Sequence, residues 1–145
     1  MSWDQLSAFA QSSPILSIAF VGLTVAIIVM EVKRRLSGFA AITPAAATSL
    51  MNRDDALVVD VSPAPDFAKA HILGSISAPL ADLDPLKHKL LSKSLERPII
   101  VVCRAGNSGA DGAAKLLKAG FKKVSVLEGG IAGWRQADLP VTKGR

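Results

Sequence analysis

The stretch PIIVVCRAGNSG, residues 98–109, contains the only cysteine of the chain. Cys103 follows an apolar run and precedes a segment of small, turn-forming residues. Glycine and asparagine accept backbone angles that let successive N–H groups point inward, and such a nest binds anions. The positive end of a following helix would further favour a thiolate there. The pattern therefore predicts either a nucleophilic Cys103 or a thiol that merely fills core space.

The remaining composition restricts the chemistry that this cysteine can take part in. One cysteine cannot form an intramolecular disulfide, and no Cys/His cluster has the spacing of a zinc site. Both facts are typical of a protein from a reducing compartment. The GADG sequence after the cysteine lacks the Lys-Ser/Thr pair of a phosphate-binding P-loop. We therefore predict no metal and no cofactor.

Two acidic residues are candidates for supporting the Cys103 loop. Asp60 ends a predicted strand, where its carboxylate could orient the loop by accepting backbone N–H groups or could instead cap the turn PAPDF. Glu128 precedes Gly129 and Gly130 in a tight strand-to-helix turn, and it is a candidate for contacting the loop. His71 is more typical of a structural hydrogen bond than of a catalytic base, since no nucleophile neighbours it in the sequence.

The elements that must position these residues alternate along the chain. ALVVDV, RPIIVVC and KVSVLEG are short apolar runs bounded by turn residues, and they predict buried strands. GADGAAKLLKAGF and GGIAGWRQADLPV predict helices, Thr43 is placed to cap a helix at Pro44, and the leucines between Leu80 and Leu91 have a helical spacing. Alternating strands and helices predict an α/β fold with a central parallel sheet flanked by helices. Cys103 then lies beyond the carboxyl end of a strand, where such sheets bind ligands.

The N-terminal part of the chain has a different composition. Residues 14–30, PILSIAFVGLTVAIIVM, contain no charged side chain. A cleaved signal peptide would have basic residues before this run, and a buried helix of a soluble protein would have a polar face. We expect residues 1–13 to form a short N-terminal segment, 14–32 a transmembrane helix, 33–41 a juxtamembrane linker and 42–145 the soluble domain.

Charge predicts the orientation of this anchor. Lys33, Arg34 and Arg35 follow the apolar run directly, and no basic residue precedes it. The positive-inside bias therefore places the C-terminal domain in the cytoplasm. The net charge of +5 is partly explained by this cluster, and the other basic residues are scattered among acids without interleaved aromatics. We therefore predict no nucleic-acid partner.

Three ordered stretches of the soluble part resemble the single-domain rhodanese family of sulfurtransferases. They are VVDVSPAPDFAKAHILGSISAPLADL, VVCRAGNSGADGAAKLLKAGF and VSVLEGGIAGW, which cover most of residues 40–141. An apolar anchor followed by one such domain further resembles small membrane-anchored rhodanese proteins of Gram-negative bacteria. The resemblance implies a rhodanese-like fold in a single-pass protein of the bacterial inner membrane, with its domain facing the cytoplasm.

The resemblance also implies roles for the residues of the loop. Cys103 would be the nucleophile that accepts a sulfane sulfur as a persulfide, and the backbone of Arg104, Ala105, Gly106, Asn107 and Ser108 would form the cradle around it. The partners would be a small sulfur donor such as thiosulfate and a thiol acceptor, either a small molecule or a protein. An anchored domain could also have a membrane protein as partner.

Departures from the family pattern leave a second function open. Ser62 stands where the family usually has an arginine after the first strand, Ala70 stands for a usual glycine, and Ser108 for a usual arginine or threonine. The alternative is a catalytically weak rhodanese-fold adaptor that tethers partner proteins at the membrane. A cysteine phosphatase or arsenate reductase is disfavoured, because those loops are one residue longer and end in arginine.

Overall fold

The computed structural model describes residues 2–144, without the side chains of Leu6, Phe9, Ala10 and Arg34. The predicted segment 1–13 therefore begins, and the predicted domain 42–145 ends, one residue outside the described range. The chain divides into two compact units between Ser37 and Gly38. Each unit is described by itself below.

The first unit consists of two helices, α1 (Trp3–Ser12) and α2 (Pro14–Leu36). Residues Pro14–Lys33 of α2 are long and apolar enough to cross a membrane, and none of the most apolar part of this stretch is buried. The helix continues four residues past the predicted end at residue 32. Arg35 Nε lies 3.0 Å from Glu31 Oε1, an i,i+4 ion pair that stabilises the last turns of a helix.

The second unit contains a five-stranded sheet with the order β1-β5-β4-β2-β3, in which every neighbouring pair is parallel. The strands are β1 (Ala40–Ile42), β2 (Leu57–Asp60), β3 (Ile76–Ser77), β4 (Ile99–Val102) and β5 (Val124–Leu127). The helices are α3 (Pro44–Arg53), α4 (Ala64–Lys69), α5 (Gly109–Lys118) and α6 (Gly130–Gln136), with a 3₁₀ turn at Leu80–Asp82. The predicted α/β class with a parallel sheet flanked by helices is confirmed.

The central strand β4 is buried on both faces, as its continuous apolar run predicts. Ile99 and Val101 belong to a core cluster that includes Leu116 of α5. Ile100 and Val102 belong to a second cluster on the other face, with Trp134 of α6. Because helices cover both faces of β4, a ligand can approach this strand only from its end, where the loop begins. Cys103 follows at this end.

Helix α3 begins at the residues that the sequence predicts for a helix start. The side chain of Thr43 accepts a hydrogen bond from the N–H of Ala46 at 3.3 Å, and Pro44 occupies the first helical position. The helix packs Ala47 into the core below the sheet. The predicted helix start is confirmed.

Two local predictions were wrong. The leucine spacing between Leu80 and Leu91 does not produce an α-helix: after the 3₁₀ turn the chain runs through successive turns, with Leu86 and Leu90 exposed. Pro85 cannot donate a helical hydrogen bond, and so interrupts the pattern. The predicted linker 33–41 contains the end of α2 and two residues of β1, a strand that forms by pairing with β5.

Candidate active site around Cys103

Cys103 is the residue directly after β4, and only 4% of its surface is exposed. The N–H of Gly106 donates a hydrogen bond to its Sγ at 3.0 Å. Gly106 has φ of +92°, a conformation that side chains rarely adopt. The chain therefore curls back three residues after the cysteine and directs a backbone donor at the sulfur.

The rest of the loop leads from the cysteine into helix α5. Arg104, Ala105 and Asn107 are exposed, and Ser108 is half-buried. Gly109 begins the helix and is buried. A side chain would not fit there, because an added Cβ would lie 2.7 Å from Val126 Cγ1. Within the described residues, Gly106 is the only loop residue that hydrogen-bonds the sulfur, so the predicted cradle is represented by one backbone donor.

A second segment, at the start of helix α6, holds the loop from outside. The N–H of Ile131 donates to the carbonyl oxygen of Cys103 at 2.9 Å, and the N–H of Ala132 donates to the carbonyl oxygen of Arg104 at 3.1 Å. The first amides of a helix have no partner within the helix, so they are available for this purpose. The first turn of α6 therefore fixes the backbone on which the thiol is carried.

The glycine pair before this turn makes the close approach possible. Gly129 and Gly130 have φ of +71° and +58°. A Cβ on Gly130 would overlap the carbonyl oxygen of Cys103. The sequence indicates that these glycines are needed for unusual backbone angles. It predicts a contact with the loop for Glu128 and not for the glycines.

Glu128 lies next to this turn but does not support the loop with its side chain. The side chain is exposed and makes no hydrogen bond or ion pair with a described residue. Its main-chain N–H donates to the carbonyl oxygen of Ile42 at 2.9 Å, which extends the pairing of β5 with β1. The contact with the loop that we expected for Glu128 is made instead by Gly130, Ile131 and Ala132.

Asp60 ends β2 and is 1% exposed. Its Oδ1 accepts the N–H of Ser62 at 2.9 Å, while Oδ2 has no hydrogen-bond partner among the described residues. Burial raises the pKa of the Asp60 carboxyl above 3.8, and the hydrogen bond with Ser62 and the charge of His71 only partly oppose this rise. Of the two predicted roles, the contacts fit the capping of the following turn, and no loop amide reaches the carboxylate.

His71 has the structural surroundings that its sequence context indicates. Its ring stacks on Phe67 with the centroids 3.8 Å apart, and Nδ1 lies 2.8 Å from the carbonyl oxygen of the same residue. Its main chain forms a bridge with Thr142. No group of three or more His, Cys, Asp or Glu residues in the described part of the chain could hold a metal ion.

Comparisons with known proteins give the same family at the level of sequence. The profile of the rhodanese-like domain matches residues 43–137. The uncharacterized protein YibN of Escherichia coli (strain K12) is 39% identical over 142 residues, covering 98% of this chain and 99% of that protein. The thiosulfate sulfurtransferase GlpE of Pseudomonas putida (strain GB-1) is 36% identical over 100 residues, covering 69% of this chain and 88% of that one.

Solved structures share the fold. The crystal structure of the BH2092 protein from Bacillus halodurans superposes with a TM-score of 0.63 at 27% identity, covering 81% of this chain and 85% of that one. The likeness covers most of both chains, so the sheet and its flanking helices form one recurring domain.

Proposed function

Because the chain belongs to the rhodanese-like domain family, we propose that it is a sulfurtransferase that carries a sulfane sulfur as a persulfide on Cys103. The observation that supports this most directly is the hydrogen bond from the Gly106 N–H to Sγ. A backbone donor aimed at a sulfur is placed to stabilise the negative charge that the sulfur carries when it acts as a nucleophile. The thiosulfate sulfurtransferase activity named for the relative from Pseudomonas putida points the same way.

In the first half-reaction the Cys103 thiolate attacks the outer sulfur of a donor such as thiosulfate. A sulfur–sulfur bond forms on Cys103 while the sulfur–sulfur bond of thiosulfate breaks, and sulfite leaves with the electron pair of that bond. The product is a Cys103 persulfide anion, and the total charge is unchanged. The step needs no proton, no metal and no electron carrier.

In the second half-reaction an acceptor thiolate attacks the outer sulfur of the persulfide. The acceptor gains the sulfur, and Cys103 leaves as a thiolate ready for another cycle. Since the chain has no second cysteine, the sulfur cannot move to a neighbouring thiol of the same molecule. The acceptor is therefore external, either a small thiol or a thiol of another protein.

The loop supplies one fixed backbone donor for the negative charge that remains on sulfur throughout. The N–H of Gly106 already points at Sγ, and helix α5 begins at Gly109 directly after the loop. Preorganised backbone dipoles of this kind stabilise charge without having to reorient during the reaction. The bonds from Ile131 and Ala132 to the carbonyls of Cys103 and Arg104 keep the loop in this shape.

The burial of the thiol restricts the donor. Cys103 is 4% exposed, so only a small part of the residue is open to an incoming reagent. A small donor with a terminal sulfur meets this requirement better than a large one. We therefore favour a low-molecular-weight donor over direct contact with a folded protein donor.

We further propose that α2 anchors the domain in the bacterial inner membrane as a single-pass helix, with the domain in the cytoplasm. The length and composition of residues Pro14–Lys33 support the span. The basic residues Lys33, Arg34 and Arg35 after the span support the orientation. An anchored carrier would deliver sulfur to acceptors at the membrane surface, including thiols of membrane proteins.

The mass of the intact chain tests the chemistry. The full chain in detergent is incubated with thiosulfate, and we expect a gain of about 32 Da, the mass of one sulfur atom, that a reductant removes. The gain should be absent in Cys103→Ser and with sulfate, which has no sulfane sulfur. No gain in the wild-type chain with any sulfane donor would contradict the proposal and leave the membrane-tethered adaptor as the function to test.

A further inference from the structure

A cavity of about 250 Å³ lies beside the Cys103 loop, between helices α4 and α6. Arg104 is the residue that the loop contributes to its wall, and α6 contributes Ile131, Ala132 and Arg135. The remaining wall comes from the turn after β2 and from α4 and its end: Ser62, Asp66, Lys69 and Ala70.

The cavity carries an excess of positive charge. Three cations, Lys69, Arg104 and Arg135, face one carboxylate, Asp66, which leaves two positive charges uncompensated. The ion pairs of Asp66 are long, 3.7 Å to Lys69 Nζ and 4.0 Å from its Oδ2 to an Arg104 guanidinium nitrogen. Arg135 makes no ion pair with a described residue. Charges of one sign around a concave surface concentrate their field within it and attract counter-ions.

The cavity wall also carries hydrogen-bond donors. Ser62 is 3% exposed, and its side chain interacts with the buried Asp60 carboxyl, whose pKa it lowers. Arginine side chains, for their part, present paired donors that match the two oxygens of a carboxylate or sulfonate. The wall therefore offers both charge and donors to an anion.

The cavity wall is hydrogen-bonded to the main chain of the Cys103 loop. Ile131 and Ala132 line the cavity, and their N–H groups hold the carbonyls of Cys103 and Arg104. An anion bound between Arg104 and Arg135 would tie the loop to helix α6 by a second connection. Binding there would therefore act on the segment that carries the thiol.

We propose that this cavity binds the anionic group of the sulfur donor or of the thiol acceptor, with Arg135 and Lys69 as residues that determine specificity. The role of the cavity in sulfur transfer rests on the proposed function. The binding of an anion in the cavity does not depend on that function. Lys69 brings its positive charge to the cavity from helix α4, and Arg135 brings its charge from helix α6. The ligand class is a small sulfur compound with a carboxylate, sulfonate or comparable anionic oxygens.

Binding without chemistry tests the site. The ¹⁵N-labelled full chain with Cys103→Ser, in detergent, is titrated with thiosulfate, with mercaptoacetate and with neutral 2-mercaptoethanol. We expect thiosulfate or mercaptoacetate to shift the amide signals of Arg104 and Ala132, and 2-mercaptoethanol to leave them unchanged. Stronger binding of thiosulfate assigns the cavity to the donor, and stronger binding of mercaptoacetate assigns it to the acceptor.

Variants that remove one positive charge test whether the cavity residues bind the anion. Arg135→Gln in the same background should weaken the anion affinity roughly tenfold, the effect of losing one charge-assisted hydrogen bond. Lys69→Gln should weaken it in the same direction. Arg53→Gln is the matched control, because Arg53 is likewise an exposed arginine in the last turn of a helix but lies outside the cavity.

The outcomes separate this inference from the proposed function. Unchanged affinity in both Arg135→Gln and Lys69→Gln, or no anion-dependent shift at Arg104 and Ala132, would overturn the cavity proposal. Weakened binding in those two variants, with Arg53→Gln unchanged, would support it even if the wild-type chain formed no persulfide. In that case the proposed sulfur transfer would fail while the anion site remained.

Discussion

Gly130 and Cys103 are in contact through their backbones: the space that a Cβ on Gly130 would occupy is already filled by the carbonyl oxygen of Cys103. The next residue, Ile131, donates its N–H to the same oxygen at 2.9 Å. The turn after β5 and the loop after β4 thus form one unit, and changes in one should affect the other.

The first prediction follows from this contact. Gly130→Ala should reduce persulfide formation at Cys103 by about tenfold or more, because the methyl group pushes the loop away and also strains a residue with positive φ, at a cost of about 1–2 kcal/mol. The rate of the mass gain with thiosulfate measures it. Gly120→Ala is the control, since Gly120 has φ of +101° but open space around it. Equal rates in the two variants would contradict the prediction.

A second prediction concerns the packing of helix α5 on β5. Gly109→Ala should destabilise the domain by about 1–3 kcal/mol, the usual cost of overpacking, since the new Cβ would lie 2.7 Å from Val126 Cγ1. Adding Val126→Ala removes the obstructing methyl, so the double variant should be more stable than the two single changes together predict. Urea unfolding of the four proteins gives this coupling, and simple additivity would show that the contact relaxes freely.

Asp60 gives a prediction about pH. Since burial raises its pKa above 3.8 in the folded state, folding favours the protonated carboxyl. Its contribution to stability should therefore increase as the pH falls through the folded-state pKa and level off below the unfolded value. The free energy of unfolding of the wild type should rise more, or fall less, than that of Asp60→Asn as the pH is lowered from 7 towards the ordinary carboxyl pKa of 3.8. Parallel pH curves for the two proteins would rule out this role of the carboxyl.

The burial of the thiol predicts size-dependent reactivity. In the native chain Cys103, at 4% exposure, should react readily with methyl methanethiosulfonate. Its reaction with the bulky 5,5′-dithiobis(2-nitrobenzoate) should be about tenfold or more slower than in urea, where local structure no longer protects it. Rates in urea supply the intrinsic reactivity of each reagent. Equal protection factors for both reagents would mean that access is not limited by size.

Helix α2 gives a prediction about the membrane. The double substitution Ala19→Lys and Val25→Lys should release the chain from the membrane fraction, because each lysine near the centre of a span costs about 2.5–3.5 kcal/mol. Leu73→Lys is the control, a lysine introduced at an exposed leucine of the domain. Retention of the double variant in carbonate-washed membranes would argue against a spanning helix.

The orientation of the chain can be tested in the same system. In a Cys103→Ser background, Ser2→Cys should react with an impermeant maleimide in spheroplasts, whereas Lys143→Cys should react only after lysis. The reverse pattern would place the domain outside the cytoplasm.

The strands and the position of the thiol could be predicted because their signals are local. The apolar run before Cys103 is long enough to indicate a strand covered on both faces, and the glycine-containing segment after it indicates a turn into a helix. The leucine spacing after Leu80 predicted a helix that does not form. The spacing takes no account of the proline within the stretch, which interrupts helical hydrogen bonding. Strand β1 was not predicted, because three residues are too few to show an alternating or continuous apolar pattern. These residues form a strand because they pair with β5.

The sequence by itself determined that an apolar helix precedes an α/β domain and that one thiol follows a buried strand, since composition and periodicity act over neighbouring residues. Only the tertiary structure decided what surrounds that thiol. The amides of Ile131 and Ala132 reach the loop, and Lys69, Arg104 and Arg135 share one cavity, because separate segments of the chain meet where the sheet ends. Contacts between distant segments depend on how helices pack across the sheet, and no local pattern of residue types encodes them.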